Sequence, residues 1–322
     1  MTATELDRRA WPGGNPHATI DPVLNVVFIT GISGSGKSVA LRMLEDAGYT
    51  CVDNLPVRFL HEFIGIAHDE GLSRVAVAID ARSPGDIAEL PDVITALRAR
   101  GTELRVVFLD ASTSTLALRY SETRRRHPLT DRLQRGGTPP SLEACILAER
   151  ELLAPLSELG HLIDTTNLTP GQLRAWVRDL IKADRLPLVL TFQSFAFKRG
   201  IPLDTDLMFD VRCLPNPHYD PVLRPLTGCD APVAQYLSAF PTVNAMVDDI
   251  AGFVERWLPQ YMQDTRSYLT VAIGCTGGQH RSVYIVERLG ERFADRGQVL
   301  VRHRNQPQLL LPVPDGLPPL SS

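Results

Sequence analysis

The stretch Val26-Val-Phe-Ile-Thr30-Gly31-Ile-Ser-Gly-Ser-Gly36-Lys37-Ser38 decides the fold of the first half of this chain. Its first five residues are apolar or β-branched and predict a buried strand. The next eight fit the pattern G-x-x-x-x-G-K-[ST], and a helical pattern follows them. A glycine-rich loop in that position wraps its backbone N–H groups around phosphate, and the N-terminus of the helix adds positive potential. The stretch therefore predicts a P-loop.

The P-loop pattern assigns roles to single residues. Lys37 reaches the β- and γ-phosphates and the Ser38 hydroxyl ligates Mg²⁺. Asp80, after the predicted strand Val75–Ile79, is the candidate acid that holds Mg²⁺ through water, and we therefore group Lys37, Ser38 and Asp80 as catalytic candidates. Asp110, which closes Val106–Leu109, is the alternative acid. The candidate nucleotide contacts in the loop are Gly31, Ile32, Ser33, Gly34, Ser35, Gly36, Lys37 and Ser38.

Beyond this loop, short apolar runs alternate with helical periods. That alternation predicts a mostly parallel sheet with helices on both faces, followed by a second, smaller α/β domain. A Pro- and Gly-rich stretch at 215–228 predicts a loop, and a long helix is expected at Val243–Tyr261. The predicted organisation is a flexible leader at 1–24, a P-loop domain at 25–184, a second domain at 187–305 and a disordered tail at 306–322.

Composition excludes several classes of protein. The chain has 322 residues, with 33 Lys or Arg against 37 Asp or Glu, 44% hydrophobic and 22% charged residues. These values argue against a largely disordered chain and against a polycationic nucleic-acid binder. No apolar run approaches a membrane span, and the N-terminus lacks the apolar region of a signal peptide. Five cysteines form no C-x-x-C pair, so we expect a reduced, cytoplasmic protein.

The most basic segment runs from Arg119 to Pro128 and includes Arg124, Arg125 and Arg126. In P-loop kinases a basic lid in this part of the chain stabilises charge on the transferred phosphoryl group. Arginines also bind RNA phosphates, and a solvated helix end is the third interpretation. Lysine is scarce, with three residues against 30 arginines, so a lysine inside a motif draws attention to that motif.

A second glycine-rich loop, Gly274–Ser282, stands between a predicted strand and a predicted helix and favours a second phosphate site. It also fits C-x-x-G-x-x-R-[ST], the loop of cysteine-dependent phosphatases, in which a thiolate attacks phosphorus. Gly274 stands where those enzymes usually carry His. Phosphate binding, covalent catalysis by Cys275 and an inert structural cysteine are the three interpretations. The polar loop Asp210–Tyr219 suits a hydroxylated, phosphorylated ligand, or it satisfies its own backbone.

Seven motifs in this order and spacing resemble the RapZ/YvcJ family of bacterial P-loop nucleotide-binding proteins, known in one branch as RNase adapter proteins. The resemblance runs from about Asn25 to Arg304. Its motifs are Gly31–Ser38, Asp53–Pro56, Asp80–Ser83, Arg119–Leu129, Ser194–Gly200, Asp210–His218 and Gly274–Ser282.

The resemblance implies a kinase-like domain that binds and slowly hydrolyses ATP and GTP with Mg²⁺. It adds Ala81, Arg82 and Ser83 to Asp80 as a second nucleotide-contacting stretch. It also implies a homo-oligomeric regulator whose C-terminal domain senses glucosamine-6-phosphate. In the adapter branch, that domain presents small regulatory RNA to a ribonuclease. The residues implied to line the sugar-phosphate pocket are Asp210, His218, Cys275, Thr276, Gly278, His280 and Arg281.

One departure concerns RNA. The RNA-binding branch has a basic C-terminal tail, whereas here Arg302-His-Arg304 leads into a Pro- and Leu-rich tail without positive charge. Basic side chains supply much of the affinity for RNA, so adapter function does not follow from the resemblance alone. A small-molecule kinase and, with less support, a cysteine-dependent phosphatase are the alternative functions.

Overall fold

The computed structural model describes residues 24–80, 87, 89–134, 138–182, 188–263, 268–296 and 298–305. Most of the predicted leader and the whole predicted tail therefore lie outside the described residues.

The first sheet has five parallel strands in the order β2-β3-β1-β4-β5, with the P-loop strand at its centre. Its strands are β1 Asn25–Gly31, β2 Thr50–Asp53, β3 Arg74–Ala78, β4 Glu103–Asp110 and β5 His161–Asp164. Four of the five strands end at a Gly or an Asp, and β3 ends two residues before Asp80, so the sequence marks where the apolar runs stop. Parallel pairing brings all their carboxyl ends to one edge of the sheet, where ligands bind in open α/β folds.

Helices cover both faces of this sheet, in two apolar clusters. They are α1 Lys37–Asp46, α2 Leu60–Asp69, α3 Leu90–Ala99, α4 Thr113–Thr123, α5 Thr130–Leu133, α6 Leu142–Ser157 and α7 Pro170–Lys182. One cluster packs against Phe28 and the other against Ile29, because alternate side chains of β1 point to opposite faces. Both faces are buried, so the strands carry almost no polar alternation.

The second sheet has four parallel strands in the order β7-β8-β6-β9 and a separate apolar core. Its strands are β6 Val189–Ala196, β7 Leu207–Asp210, β8 Tyr268–Cys275 and β9 Gln298–His303. Its helices are α8 Ala231–Ser238, α9 Pro241–Gln263 and α10 Arg281–Phe293. The predicted fold class, a parallel sheet with helices on both faces and a second α/β unit, is confirmed.

Two short helices escaped sequence analysis, the four-residue α5 Thr130–Leu133 and α8. Helix α8, Ala231–Ser238, lies between the Pro- and Gly-rich loop and the predicted long helix. It has only eight residues, starts with Pro232 near its first position and buries just Val233 and Leu237. A helix this short has too few apolar repeats to be told apart from a stretch of turns in the sequence.

Buried charges join the two sheets. Arg304, which follows β9, donates to the Asp164 carboxylate at 2.9 Å and to Asp204 at 3.3 Å, and its side chain is 3% exposed. Asp204 in turn accepts the backbone N–H of Asp164 at 3.1 Å. Arg302 stacks on the Trp176 ring, with its guanidinium carbon 4.6 Å from the ring centroid. Removing one member of such a cluster leaves a buried charge uncompensated.

None of the helices in the described ranges combines the length and the apolar character that a membrane span requires.

Candidate nucleotide and phosphate sites

The P-loop begins at Gly31, the last residue of β1, which lies opposite Leu109 of β4. Gly31 has φ of 131°, and a Cβ atom there would lie 2.0 Å from the carbonyl oxygen of Leu109, so the site accepts only glycine. The N–H of Ile32 donates to that same carbonyl at 3.0 Å. Gly36 caps α1, whose first turn carries no acidic residue. The N-terminal amides and the positive end of the helix dipole therefore face the loop without a competing carboxylate.

A cleft of about 550 Å³ opens over this loop. Its floor is the P-loop, and its walls come from the ends of β2 and β3, from α4 and the basic segment, and from the start of α7. The lining residues outside the P-loop include Asp53, Asp80, Arg119, Tyr120, Arg125, Arg126, Thr165, Leu168 and Leu173. The strand ends thus bring together residues that are distant in sequence, as the parallel topology requires.

The predicted lysine and magnesium residues share this cleft. Lys37 Nζ donates to the Gly31 carbonyl at 2.6 Å, which holds the ammonium over the loop. Ser38 is exposed and lines the cleft with Asp80 and Asp53. The hydroxyl of Ser35 is buried without a hydrogen-bond partner among the described residues. An unsatisfied hydroxyl beside an ammonium group and a helix N-terminus fits a phosphate group, and the exposed Ser38 hydroxyl with the two carboxylates fits hydrated Mg²⁺.

Asp110, the alternative magnesium residue, has another partner. Its two carboxylate oxygens accept hydrogen bonds from Arg150 Nε and Nη2, both at 3.2 Å, and Asp110 is not among the residues that line the cleft. Burial raises the pKa of Asp110, although the hydrogen bonds from Arg150 oppose that shift. The geometry favours Asp80 over Asp110 as the acid near the phosphates.

Glu149 supports the P-loop from behind, and sequence analysis did not identify it. Its carboxylate is fully buried and accepts the Ser33 N–H at 2.9 Å and the Ser33 hydroxyl at 2.7 Å. His127 Nε2 lies 3.0 Å from the same carboxylate. Burial acts to raise the pKa of Glu149, but the bond from His127, the charge of Lys37 and the bonds from Ser33 outweigh it and lower the pKa. A buried anion thus orients one turn of the loop.

The arginines of the basic segment differ in burial and in hydrogen bonding. Arg119 donates to the carbonyls of Gly34 at 3.0 Å and Thr165 at 2.7 Å, which closes one side of the cleft. Burial lowers the pKa of Arg119. Arg125 and Arg126 are exposed and line the cleft mouth, whereas Arg124 caps α4 in the left-handed region with φ of 50°. The segment therefore places two long cationic side chains, Arg125 and Arg126, at the mouth of the cleft, which is where the lid interpretation puts them.

The second glycine-rich loop surrounds a buried thiol. Cys275 is 3% exposed, and its Sγ accepts the Gly278 N–H at 3.2 Å and lies 3.1 Å from the Ser282 hydroxyl. Burial alone raises the pKa of Cys275, yet the bonds from Ser282 and Gly278 and the charge of Arg281 lower it overall. Gly278 has φ of 66°, which allows the loop to fold back over the sulfur. The loop therefore concentrates donors around one point.

Arg281 braces the neighbouring loop. Its Nη1 donates to the carbonyls of Arg212 at 2.7 Å and Leu214 at 3.0 Å, and its Nη2 lies 3.5 Å from the Thr276 hydroxyl. Nε of Arg281 is buried without a partner among the described residues. One donor of the guanidinium thus stays available while the rest fix the loop, which fits an anion held beside Thr276.

The other predicted pocket residues lie around this loop with different accessibility. His218 is exposed and its ring centroid is 6.3 Å from that of the buried His280. His280 Nε2 contacts the Leu223 carbonyl at 3.1 Å, and burial lowers its pKa. Asp210 pairs with Arg212, whose hydrogen bonds lower the pKa of the Asp210 carboxyl. The structure therefore gathers Asp210, His218, Thr276, His280 and Arg281 near Cys275, while Ala81, Arg82 and Ser83 lie outside the described residues.

The chain is similar to one family of nucleotide-binding proteins over most of its length. The RapZ-like N-terminal domain matches residues 24–185 and the RapZ C-terminal domain matches residues 188–307. A nucleotide-binding protein of Bordetella petrii is 73% identical over 88% of this chain and 98% of its own length. A nucleotide-binding protein of Burkholderia multivorans is 57% identical over 88% of this chain and 95% of its own.

Two solved structures are similar to about half of the chain. A sugar kinase from Janibacter has 21% identity and a TM-score of 0.34, over 49% of this chain and 95% of that one. A shikimate kinase from Bacteroides thetaiotaomicron has 16% identity and a TM-score of 0.33. Scores this low decide nothing alone, and the fold class rests on the strand order and the parallel pairing described above.

Proposed function

Because this chain belongs to the RapZ family of nucleotide-binding proteins, we propose that it is a regulator that binds ATP and GTP and hydrolyses them slowly. In the same proposal its second sheet carries the sensor for a phosphorylated amino sugar such as glucosamine-6-phosphate. The observation that carries the proposal is the presence of two separate glycine-rich loops that each join a strand to a helix: Gly31–Ser38 after β1, here called the first cradle, and Gly274–Ser282 after β8, the second cradle. Two such cradles on two sheets suit two phosphorylated ligands.

At the first cradle, the residues of the cleft divide the work. Lys37 binds the β- and γ-phosphates, and the P-loop amides and the α1 N-terminus hold the remaining oxygens. Ser38 and Asp80 hold Mg²⁺, which neutralises charge on the phosphates when bound. Arg125 and Arg126 approach from the lid.

At the second cradle, polar groups of two loops face one point. The Arg281 guanidinium and the Thr276 hydroxyl hold the phosphate, and His218, which is exposed beside them, contacts the sugar hydroxyls or amine. Asp210, which also pairs with Arg212, offers carboxylate oxygens to an amino group. An ammonium group distinguishes an amino sugar phosphate from its neutral analogue, and a nearby carboxylate gives that preference a physical basis.

Small regulatory RNA is the third proposed ligand, with a ribonuclease as the partner that receives it. The exposed Arg124, Arg125 and Arg126 are the proposed contacts. Arg302 and Arg304, each 3% exposed, are engaged between the two sheets and do not serve RNA. The protein is proposed to act as a homo-oligomer in the cytoplasm.

Isothermal titration of ATP, GTP and glucosamine-6-phosphate separates the first two sites. Lys37→Ala is expected to weaken both nucleotides at least about tenfold and to leave the sugar phosphate unchanged. Arg42→Ala, an exposed change on the same helix, is the matched control. Thr276→Val and Arg281→Ala are expected to weaken only the sugar phosphate, with the exposed Arg288→Ala as control. Unchanged nucleotide affinity in Lys37→Ala would refute the first assignment.

RNA binding is tested by titrating labelled small RNA at several salt concentrations. A variant with Arg124→Ala, Arg125→Ala and Arg126→Ala together is expected to bind RNA more weakly and with less salt dependence. It makes fewer contacts to phosphates, so fewer counterions leave the RNA when the protein binds. The exposed arginines Arg42, Arg58 and Arg256, changed together, form the control. Absence of salt-sensitive binding by the unaltered protein would remove RNA from the proposal.

A small-molecule kinase is the second candidate function, because Asp53 lines the same cleft as the P-loop and could act on a hydroxyl substrate. Phosphorylated product from ATP and a metabolite panel, abolished by Lys37→Ala and by Asp53→Asn, would favour the kinase over the regulator. Hydrolysis without any phosphorylated acceptor favours the regulator.

A further inference from the structure

Three side chains of types that bind metal ions meet at the edge of the second sheet, outside both cradles. Cys229 lies in the turn before α8, Glu287 is on α10 and His303 ends β9. Cys229 Sγ lies 3.8 Å from Glu287 Oε1 and 4.0 Å from His303 Nε2, and those two atoms are 2.7 Å apart. In the described part of the chain, this is the one group of three such residues whose ligand atoms converge within 4.8 Å.

The triangle has nearly the dimensions of a metal site. With zinc–sulfur bonds of about 2.3 Å and zinc–nitrogen or zinc–oxygen bonds of about 2.0–2.1 Å, tetrahedral ligand atoms are about 3.4–3.6 Å apart. The two edges to sulfur exceed this range by less than about half an ångström, and the nitrogen–oxygen edge must widen by about 0.7 Å. Movements of this size are within the reach of side-chain rotation in residues that are only partly buried.

A second observation, independent of the triangle, concerns the orientation of His303. Its Nδ1 lies 2.9 Å from the hydroxyl of Ser194, a fully buried residue directly opposite it on β6. A histidine ligand to a metal characteristically uses its second ring nitrogen in such a hydrogen bond, which fixes the ring. The ring of His303 is therefore set with Nε2 directed at Glu287 and Cys229.

The backbone that carries Cys229 is also anchored. The N–H of Gly228 donates to the Gln279 carbonyl at 2.9 Å, and a Cβ atom at Gly228 would lie 2.4 Å from the His280 carbonyl oxygen. The N–H of Cys229 donates to the Thr227 hydroxyl at 3.3 Å. The thiol is thus held at the triangle by a turn that is packed against the second cradle, while the residue itself is exposed to solvent.

We propose that Cys229, Glu287 and His303 form a binding site for Zn²⁺, with a solvent molecule in the fourth position. Thiolate, imidazole and carboxylate together are donors that zinc accepts, whereas calcium and magnesium require oxygen ligands alone. The exposure of Cys229 leaves one side of the triangle open to water. The bound ion would tie the turn before α8 to α10 and to the end of β9.

Zinc uptake by the full-length protein is measured by metal analysis after equilibrium dialysis, and Co²⁺ serves as the spectroscopic probe. We expect one equivalent of zinc per chain and, with cobalt, a near-ultraviolet thiolate-to-metal band that zinc abolishes. Cys229→Ser is expected to eliminate the band and to weaken zinc at least about tenfold. Glu287→Gln is expected to weaken zinc while keeping the band.

Two controls make the result decisive. Cys213→Ser removes another exposed cysteine of the same sheet unit and should leave both readouts unchanged. Circular dichroism and ATP binding show whether each variant is folded. Failure of the folded unaltered protein to take up zinc, or a cobalt band that persists in Cys229→Ser and disappears in Cys275→Ser, would overturn the proposal.

Discussion

Glu149 accepts two hydrogen bonds from Ser33, one from its N–H at 2.9 Å and one from its hydroxyl at 2.7 Å, although 116 residues separate the two. A buried carboxylate therefore fixes the orientation of a P-loop peptide from the side opposite the cleft. Because the carboxylate oxygen that accepts the Ser33 N–H also contacts His127 Nε2 at 3.0 Å, the loop and the basic segment share one support.

Glu149→Gln is expected to lower the free energy of unfolding by about 1.5–3 kcal/mol, the range for hydrogen bonds to a charged group. The folded protein lowers the pKa of Glu149, so its charge stabilises the fold above the ordinary value of 4.5, and that contribution is lost as pH falls through the lower folded value. Denaturation of both proteins from pH 7 downward measures the difference. It should be largest near neutrality and shrink below pH 4.5.

Glu151→Gln, an exposed change on the same helix, is the control and should have little effect at any pH. A Glu149→Gln protein as stable as the unaltered one at pH 7 would contradict the support role.

Asp80→Asn should change the magnesium requirement of nucleotide binding, whereas Asp110→Asn should change the stability of the protein. Asp80→Asn is expected to raise the Mg²⁺ concentration needed for nucleotide binding at least about tenfold, with little loss of stability. Asp110→Asn leaves Arg150 without its charged partner, so it should lower stability and leave the magnesium requirement unchanged. Titration of Mg²⁺ at fixed ATP, with thermal unfolding of both variants, gives the answer. A raised magnesium requirement in Asp110→Asn alone would reverse the assignment.

Cys275→Ser tests whether the buried thiol is a nucleophile or a structural element. We expect unchanged phosphate release from ATP and from phosphate monoesters. Because the folded protein lowers the pKa of Cys275 from 9.0, the thiolate adds stability that is present above pH 9 and is lost as pH falls through the folded value. The stability difference between the two proteins should therefore grow from neutral pH to about pH 9. Loss of monoester hydrolysis in the variant would instead support covalent catalysis.

Arg304→Met is expected to destabilise the protein by roughly 3–5 kcal/mol, because it leaves Asp164 and Asp204 buried without their cation. Arg296→Met, an exposed change near the end of α10, should be nearly neutral. Chemical denaturation monitored at Trp176, which lies under Arg302 and Arg304, measures both. Equal stability of the two variants would show that the cluster contributes little.

The strands and the P-loop were predictable because their signals are local. An apolar run such as Val26–Thr30 and a glycine pattern directly after it identify themselves within a dozen residues. The boundaries of the two domains and the roles of the individual site residues stay predictions.

The support of the site was not predictable for the same reason. Glu149 stands in a helical pattern of leucine and alanine, and nothing near it in sequence indicates that its carboxylate faces Ser33. Cys229, Glu287 and His303 are separated by 58 and 16 residues and form no motif, so only the packing of three elements brings them together. Pairing of Asp110 with Arg150 likewise depends on how α6 packs against the end of β4.

Asp164 and Thr165 are neighbours in the chain that face two ways. The Thr165 hydroxyl donates to the Ser35 carbonyl of the P-loop at 2.8 Å, while Asp164 accepts Arg304 from the far sheet through both its side chain and its carbonyl. The residue that contacts the P-loop and the residue that contacts the second half of the molecule are therefore adjacent in the chain, with their Cα atoms about 3.8 Å apart. We expect that tilting one half against the other pulls on the P-loop directly, without transmission through either apolar core.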